Sequence, residues 1–285
     1  MMLVASSLVG LSIVGTGPHG SAHASPLAVL RYPVGIVNPA EPSGMGPPGA
    51  WALAGYTQAY VNDFTTRTIP TGWNVFNGIP GGDPGGKFGM KHLRMGGGLM
   101  RLLTYRDPRF QNRWVTGGIC QCGVSRVYGA YFVRSRITGA GPNEVQLLWP
   151  YNDRWPPEID FNETGASALG TSSTVHYGSQ NLMDHRSVQI NMTKWHTWGV
   201  IWTASVVTYI VDGEVWARVA VPSHTPRVPM RLDFEQRALC SLHRQCPTVP
   251  VAMYVDWVVE YVLTPTPEPD TTTTSTTSTT TTTNP

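Results

Sequence analysis

The stretch Glu158-Ile159-Asp160-Phe161-Asn162-Glu163 decides how the rest of this sequence is interpreted. Side chains of a β-strand alternate between its two faces, so the first two acids share one face and the apolar residues share the other. Glu163 has the wrong parity for the carboxylate face, and one extra residue, a β-bulge at Phe161–Asn162, would restore it. Three carboxylates on one face repel one another, which allows one to be ionised while another is protonated. The stretch therefore predicts a catalytic strand, with a solvated edge strand as the alternative.

The surroundings of this stretch favour the catalytic interpretation. Only 13% of the residues are charged, yet three acids fall within six positions. Trp149 and Trp155 stand just before them. Ligand clefts are rich in aromatic side chains, so acids and indoles together indicate a binding cleft.

The composition of the whole chain favours an all-β protein. Its 285 residues include 30 Gly, 24 Pro, 10 Trp and 11 Tyr, which is typical of many short aromatic strands joined by turns. The net charge is +2, from 20 basic and 18 acidic residues, and no Lys/Arg run stands out. Nucleic acid is therefore not the expected partner.

The two ends of the sequence differ from the middle. Residues 1–24 contain an apolar stretch from Leu3 to Val14 and close with Ala22-His23-Ala24, which predicts a signal peptide and a secreted, extracellular protein. The apolar stretch is too short to span a bilayer. Residues 264–285 are rich in Thr and Pro and carry no apolar residues for a core, which predicts a disordered tail.

The pattern Glu-x-Asp-x-x-Glu resembles the signature of glycoside hydrolase family 16 in its β-bulge form. Further segments along the chain resemble the family in the expected order. They are Asp63-Phe64 with Trp73-Asn74, Tyr128–Arg136, Val145–Pro150, Trp195–Trp198 and Met253–Val258. The resemblance implies a single jelly-roll domain over residues 58–263, a β-sandwich of two antiparallel sheets with one curved sheet forming an open cleft. Residues 25–57 then form an N-terminal extension.

The resemblance also implies an activity. It predicts a retaining endo-glycoside hydrolase that cleaves a polysaccharide, a β-1,3 or mixed β-1,3/1,4 glucan by default, with galactans as the alternative. Glu158 is expected to be the nucleophile and Glu163 the general acid and then base, with Asp160 orienting the nucleophile; such a pair works at roughly 5–5.5 Å. A carbohydrate-binding module on the same fold and a structural virion or cell-surface protein are the rival interpretations, because a fold does not settle function.

Five residues are expected to contact the substrate. Trp149 and Trp155 flank the acids and present flat faces to sugar rings, with core packing as the alternative. Arg134, His176 and Gln236 match polar positions of the family's cleft strands, with structural roles as the alternative.

The remaining expectations concern cysteines, metals and partners. Four cysteines in an exported chain suggest two disulfides, and we expect Cys240–Cys246 to be one of them; a bond between Cys120 and Cys122 is strained but allowed. No cofactor is expected. In the family a calcium ion is held partly by an aspartate of the last strand, and Asp256 matches that position. The partner is a polysaccharide and the protein a monomer.

Overall fold

The structure, a computed structural model, describes residues 32–240 and 246–265. The predicted signal peptide lies outside the described residues, as does all of the predicted tail beyond residue 265. The described residues form eighteen strands and two short 3₁₀ turns, Met90–His92 and Pro108–Phe110. The strands are β1 (Ile36–Val37), β2 (Met45–Gly46), β3 (Tyr56–Asn62), β4 (Asn74–Val75), β5 (Leu93–Met95), β6 (Met100–Asp107), β7 (Arg113–Val115), β8 (Gly118–Cys120), β9 (Gly129–Ile137), β10 (Asn143–Pro150), β11 (Glu158–Glu163), β12 (Thr171–Tyr177), β13 (Leu182–Val188), β14 (His196–Trp202), β15 (Val207–Val211), β16 (Glu214–Val219), β17 (Met230–Arg237) and β18 (Val251–Leu263).

Two large antiparallel sheets build the domain, which confirms the predicted β-sandwich. In the described chain, the cleft sheet has the strand order β13-β12-β11-β10-β17-β8-β4. The outer sheet has the order β16-β15-β14-β9-β18-β6-β5, with β3 beside β18 and β7 beside β6. Strand β11, which carries the three acids, therefore lies well inside the cleft sheet, between β10 and β12.

The hydrophobic core fills the space between the two sheets. Ile159 and Phe161 point into it from β11, and Phe234 points into it from β17. Trp198 and Trp202 contribute from β14 and are fully buried. A large aromatic side chain removes much apolar surface from water, so this layer supplies most of the stabilisation of the sandwich.

A buried cluster of polar side chains, which includes Gln236, interrupts the hydrophobic core. Gln236 Nε2 donates to Oε1 of Glu144 at 2.7 Å, and its Oε1 accepts from Oγ1 of Thr104 at 3.0 Å. The expectation that Gln236 contacts substrate is therefore wrong. It lies on the core face of β17, because the cleft face of that strand belongs to the residues of opposite parity.

The segment that precedes β3 packs on the exposed side of the outer sheet. Trp257 Nε1 donates to the carbonyl of Met45 at 2.8 Å, and Tyr261 donates from its hydroxyl to the carbonyl of Gly49 at 2.9 Å. A second, smaller apolar cluster forms beneath this segment, around Phe132 and Trp257. The segment thus covers apolar side chains that the sandwich core does not use.

Arg134 lies under the same segment and not in the cleft. It belongs to β9 of the outer sheet and donates to Ser43 Oγ and Thr197 Oγ1, each at 3.2 Å. Its guanidinium also lies 3.8 Å from the carboxylate of Asp212. The expected sugar contact is therefore wrong, because β9 is a strand of the other sheet.

Both disulfides are present. Cys240–Cys246 is confirmed, and Cys120 bonds to Cys122. Within the described ranges, the structure contains no helix long and apolar enough to cross a membrane.

Candidate active site

A bulge in β11 brings the three acids onto one face. Gln146 of β10 pairs with Asn162 and the next residue, Leu147, pairs with Asp160, so Phe161 is the extra residue. On the other side, the β11–β12 register also shifts between Asp160 and Glu163. The predicted bulge is thereby confirmed.

The three acids line an open cleft of about 830 Å³. Trp149 and Trp155 line the same cleft, as does His176. Trp155 is 43% exposed, so its ring is accessible to a ligand. Six of the eight residues predicted for the cleft are therefore brought together, and Arg134 and Gln236 are left out as described above. Strand β11 contributes the three carboxylates, and the two indoles flank them.

Glu158 is held by the indole that precedes it. Trp155 Nε1 donates to Glu158 Oε2 at 2.7 Å. Burial and then the charge of Asp160 raise the pKa of Glu158 well above its ordinary value, while His176 and the indole bond oppose that rise. The position of the carboxylate is fixed, and its charge depends on its two neighbours.

Asp160 and His176 form an ion pair at the centre of the site. His176 Nε2 lies 3.3 Å from Asp160 Oδ2, and Nδ1 lies 2.7 Å from Asn181 Oδ1. Burial lowers the pKa of His176, but the hydrogen bond and the charge of Asp160 outweigh it and raise this pKa to about 9. Burial raises the pKa of Asp160 to about 6, against the effect of His176. The imidazolium therefore supplies positive charge beside the acids at neutral pH.

Glu163 is held by a different pair of side chains. Its Oε1 accepts from Arg237 Nη2 at 3.0 Å and from Asn143 Nδ2 at 3.1 Å. Arg237 also donates from Nε to Asn143 Oδ1 at 2.8 Å and lies 3.3 Å from Glu235 Oε1. These contacts fix the direction in which the Glu163 carboxylate faces the cleft.

Strand β17 adds a row of alternating charges that the sequence analysis missed. Its cleft face carries Arg231, Asp233, Glu235 and Arg237. Burial raises the pKa of Asp233 well above its ordinary value, and burial raises that of Glu235 to about 7 despite Arg237. The alternation of charged and apolar residues in Met230–Arg237 was a signal that could have found this row.

Two places in the described chain have oxygen or nitrogen ligands suitable for a cation. One ligand atom each of Glu158, Asp160 and His176 lies within 4.8 Å of the others. Here the His176 imidazolium already balances the carboxylates, so their proximity has an explanation without a metal. The other place is Asp256, whose Oδ2 accepts from the Ser43 amide at 3.1 Å.

The second carboxylate oxygen of Asp256 makes this residue a better candidate metal ligand than the acids of the cleft. Oδ1 is buried and has no hydrogen-bond partner among the described residues. Burial raises the pKa of Glu41, and the nearby charges of Asp256 and Asp63 raise it further. An unpaired carboxylate oxygen beside other acids fits a hard cation such as calcium.

Comparison with known proteins shows what the part of the chain that builds the cleft is similar to. Residues 101–237 match the model of the family described as glycosyl hydrolases family 16. This segment contains β11 with its three acids and most of the cleft sheet. Residues 101–237 of this chain are thus similar to glycosyl hydrolases family 16. The match to a curated protein, the endo-1,3-1,4-beta-glycanase ExsH of Rhizobium meliloti, is 25% identical over 146 residues. It covers 49% of this chain and 31% of that protein, so the chain spans about a third of the relative's length.

Solved structures of other proteins share this fold. The catalytic domain of an endo-1,3-beta-glucanase (laminarinase) from Thermotoga petrophila has a TM-score of 0.63 and 15% identity, over 73% of this chain and 98% of that one. The laminarinase from Rhodothermus marinus has a TM-score of 0.62 and 21% identity, over 72% of this chain and 97% of that one. At this identity the likeness shows the fold alone, a jelly roll.

Proposed function

We propose that this chain is a retaining endo-β-glucanase that cleaves β-1,3 or mixed β-1,3/1,4 linkages. The observation that carries the proposal is the bulged strand β11, which presents Glu158, Asp160 and Glu163 to one open cleft. The choice of substrate is supported by the activities of the similar proteins, an endo-1,3-1,4-beta-glycanase and two laminarinases.

The first chemical step breaks the glycosidic bond. The Glu158 carboxylate attacks the anomeric carbon while Glu163 gives its proton to the leaving oxygen. The products of this step are a glycosyl ester on Glu158, an ionised Glu163 and a free sugar chain. Trp155 and Arg237 keep the two carboxylates in place on either side of the bond.

The second step restores the enzyme. Glu163 takes a proton from a water molecule, the water oxygen attacks the anomeric carbon, and the Glu158 ester bond breaks. Two inversions leave the product with the β configuration of the substrate. Asp160 and the imidazolium of His176 set the charge around Glu158 in both steps.

The shape of the cleft supports cleavage within a polymer. It is open along the sheet and lined by Trp149 and Trp155, whose rings suit the C–H faces of sugars. A chain can therefore enter without a free end. We further propose that the protein is secreted, which the apolar stretch before Ala24 supports, and that it acts as a monomer. We also propose that Asp256 holds a structural calcium ion, which its buried, unpaired oxygen supports.

A polysaccharide screen tests the proposal. Laminarin, a mixed-linkage β-glucan, agarose and a starch control are incubated with the protein, and reducing ends are measured. We expect release from a β-glucan and a β-anomer as first product by NMR. Binding without release of reducing ends from any polymer would favour the carbohydrate-binding interpretation, release from agarose alone would favour the galactanase, and an initial α-anomer would contradict the retaining mechanism.

A further inference from the structure

The outer sheet carries a straight row of arginines and aromatic rings on its exposed face. The strand register pairs Arg94 with Arg101, Arg101 with Tyr254, and Tyr254 with Arg136. Trp195 continues the row one residue before β14, whose His196 pairs with Ser135. We call these five residues the basic row. Neighbouring strands lie about 4.8 Å apart, so the row spans the breadth of four strands and the start of a fifth.

Four of the five members of the basic row stack on one another. Arg136 Cζ lies 5.3 Å from the ring centroid of Trp195 and 5.2 Å from that of Tyr254. Arg101 Cζ lies 6.0 Å from the Tyr254 centroid. Stacking uses the flat faces of a guanidinium and leaves its in-plane N–H donors directed sideways. The row is therefore rich in donors and poor in free ring faces.

The arginines of the basic row lack acidic partners. Within residues 32–240 and 246–265, Arg94, Arg101 and Arg136 form no ion pair, and Arg136 Nε has no hydrogen-bond partner. Arg101 uses Nη1 for two backbone carbonyls, and Arg94 uses Nη1 for one. The nearest acid along β18, Asp256, is buried and bonded to the Ser43 amide. Three cations on one strip thus stand without compensating charge in a chain with few charged residues.

We propose that the basic row is a second binding site, which holds an acidic polysaccharide through its carboxylate or sulfate groups. Guanidinium groups bind both kinds of anion through paired N–H donors. Single-stranded nucleic acids bind by stacking bases on open ring faces, and arginines lie over the Tyr254 ring from two neighbouring strands. The inward-facing neighbours Leu102, Ile137 and Met253 lie in the core, so the row faces away from the cleft. A polymer on the row leaves the cleft free.

Affinity electrophoresis of the full chain tests the site. Polygalacturonate supplies carboxylates, dextran sulfate supplies sulfates, and laminarin and double-stranded DNA are the comparison polymers. The variants are Arg94→Gln, Arg136→Gln and the double variant that combines them. The control is Arg218→Gln, which removes an exposed arginine from β16 of the same sheet. Melting temperatures of all variants are measured. The side chain of Arg94 is exposed, so Arg94→Gln remains informative even if Arg136→Gln is unstable.

We expect at least one acidic polymer to retard the protein. Combining both row substitutions should raise the Kd for that polymer roughly tenfold, and Arg218→Gln should leave the Kd unchanged. Salt should weaken the binding. Retardation by polygalacturonate alone assigns the carboxylate, and by dextran sulfate alone the sulfate. Four results would overturn the proposal: no retardation, an equal loss in Arg218→Gln, equal retention by DNA, or displacement by laminarin oligosaccharides bound in the cleft.

Discussion

His176 places both of its ring nitrogens against oxygen acceptors, Nε2 at 3.3 Å from Asp160 and Nδ1 at 2.7 Å from Asn181. An imidazole satisfies both contacts only as the doubly protonated cation. The site therefore contains a fixed positive charge next to the proposed nucleophile, and its pH behaviour should depend on that charge.

The first prediction concerns this charge. His176→Gln removes it, so the pKa of Glu158 should rise further and the acidic limb of kcat/KM should move to higher pH. Asp160→Asn removes a negative charge instead and should move the same limb to lower pH, because ionisation of Glu158 becomes easier. The measurement is a pH profile of each variant. If the acidic limb moved in the same direction in both variants, this arrangement of charges would be contradicted.

The second prediction concerns the catalytic pair. Glu158→Ala should reduce kcat at least 10³-fold, and Glu163→Ala by roughly 10²–10⁴-fold on natural polymers. Aryl glycosides with good leaving groups should be less affected by Glu163→Ala, and azide should rescue it as a β-glycosyl azide. Glu214→Ala, an exposed acid on β16, is the control. Full activity of Glu158→Ala would remove this assignment of the site.

The third prediction concerns Arg237, which we expect to position Glu163. Arg237→Met should lower kcat roughly 100-fold with little change in KM, because the acid loses its orientation. It should also lower stability by about 3–5 kcal/mol, since Glu235 is left buried without its partner. Adding Glu235→Gln should recover stability and not kcat. Recovery of both would show that Arg237 acts only on folding.

The fourth prediction separates a core role from a substrate role for Gln236. Gln236→Leu leaves buried groups of Glu144 and Thr104 unpaired and should destabilise the protein by about 1–3 kcal/mol. KM should stay unchanged, because the side chain does not reach the cleft. Urea unfolding and steady-state kinetics check the two parts. A raised KM with unchanged stability would restore the earlier interpretation.

The fifth prediction concerns calcium. Removal of calcium by a chelator should lower the melting temperature, and at a calcium concentration of 100 times Kd the stabilisation is about 2.7 kcal/mol. Asp256→Asn should abolish this difference, whereas Asp153→Asn, an exposed acid at the cleft, should keep it. A melting temperature that changes with neither calcium nor chelator would count against the site.

The sequence alone predicted the parts of this site that depend on one strand. Alternation and a single bulge place Glu158, Asp160 and Glu163 together without knowledge of their neighbours. The same rule, applied to Met230–Arg237, assigns Arg237 to the cleft face and Gln236 to the core, so that error was avoidable.

Other features depend on which strands become neighbours. Arg134 follows an alternating pattern whether β9 belongs to the cleft sheet or to the outer sheet, and only the pairing with β14 and β18 decides between them. The basic row likewise exists only through register, because Arg94, Arg101 and Arg136 are dispersed along the chain. Pairings between distant segments are not encoded in local periodicity.

The position of β18 has a consequence for how this protein is made. Its residues pair with β6 and β3 along one side and with β9 along the other, so it occupies the middle of the outer sheet. During translation all three partner strands are synthesised before Val251, so their edges stay without hydrogen-bond partners until β18 follows. Such late, non-local pairing slows folding and exposes nascent strands to association with other chains. We therefore expect translation through residues 251–263 to be the event after which a nascent chain becomes resistant to proteolysis.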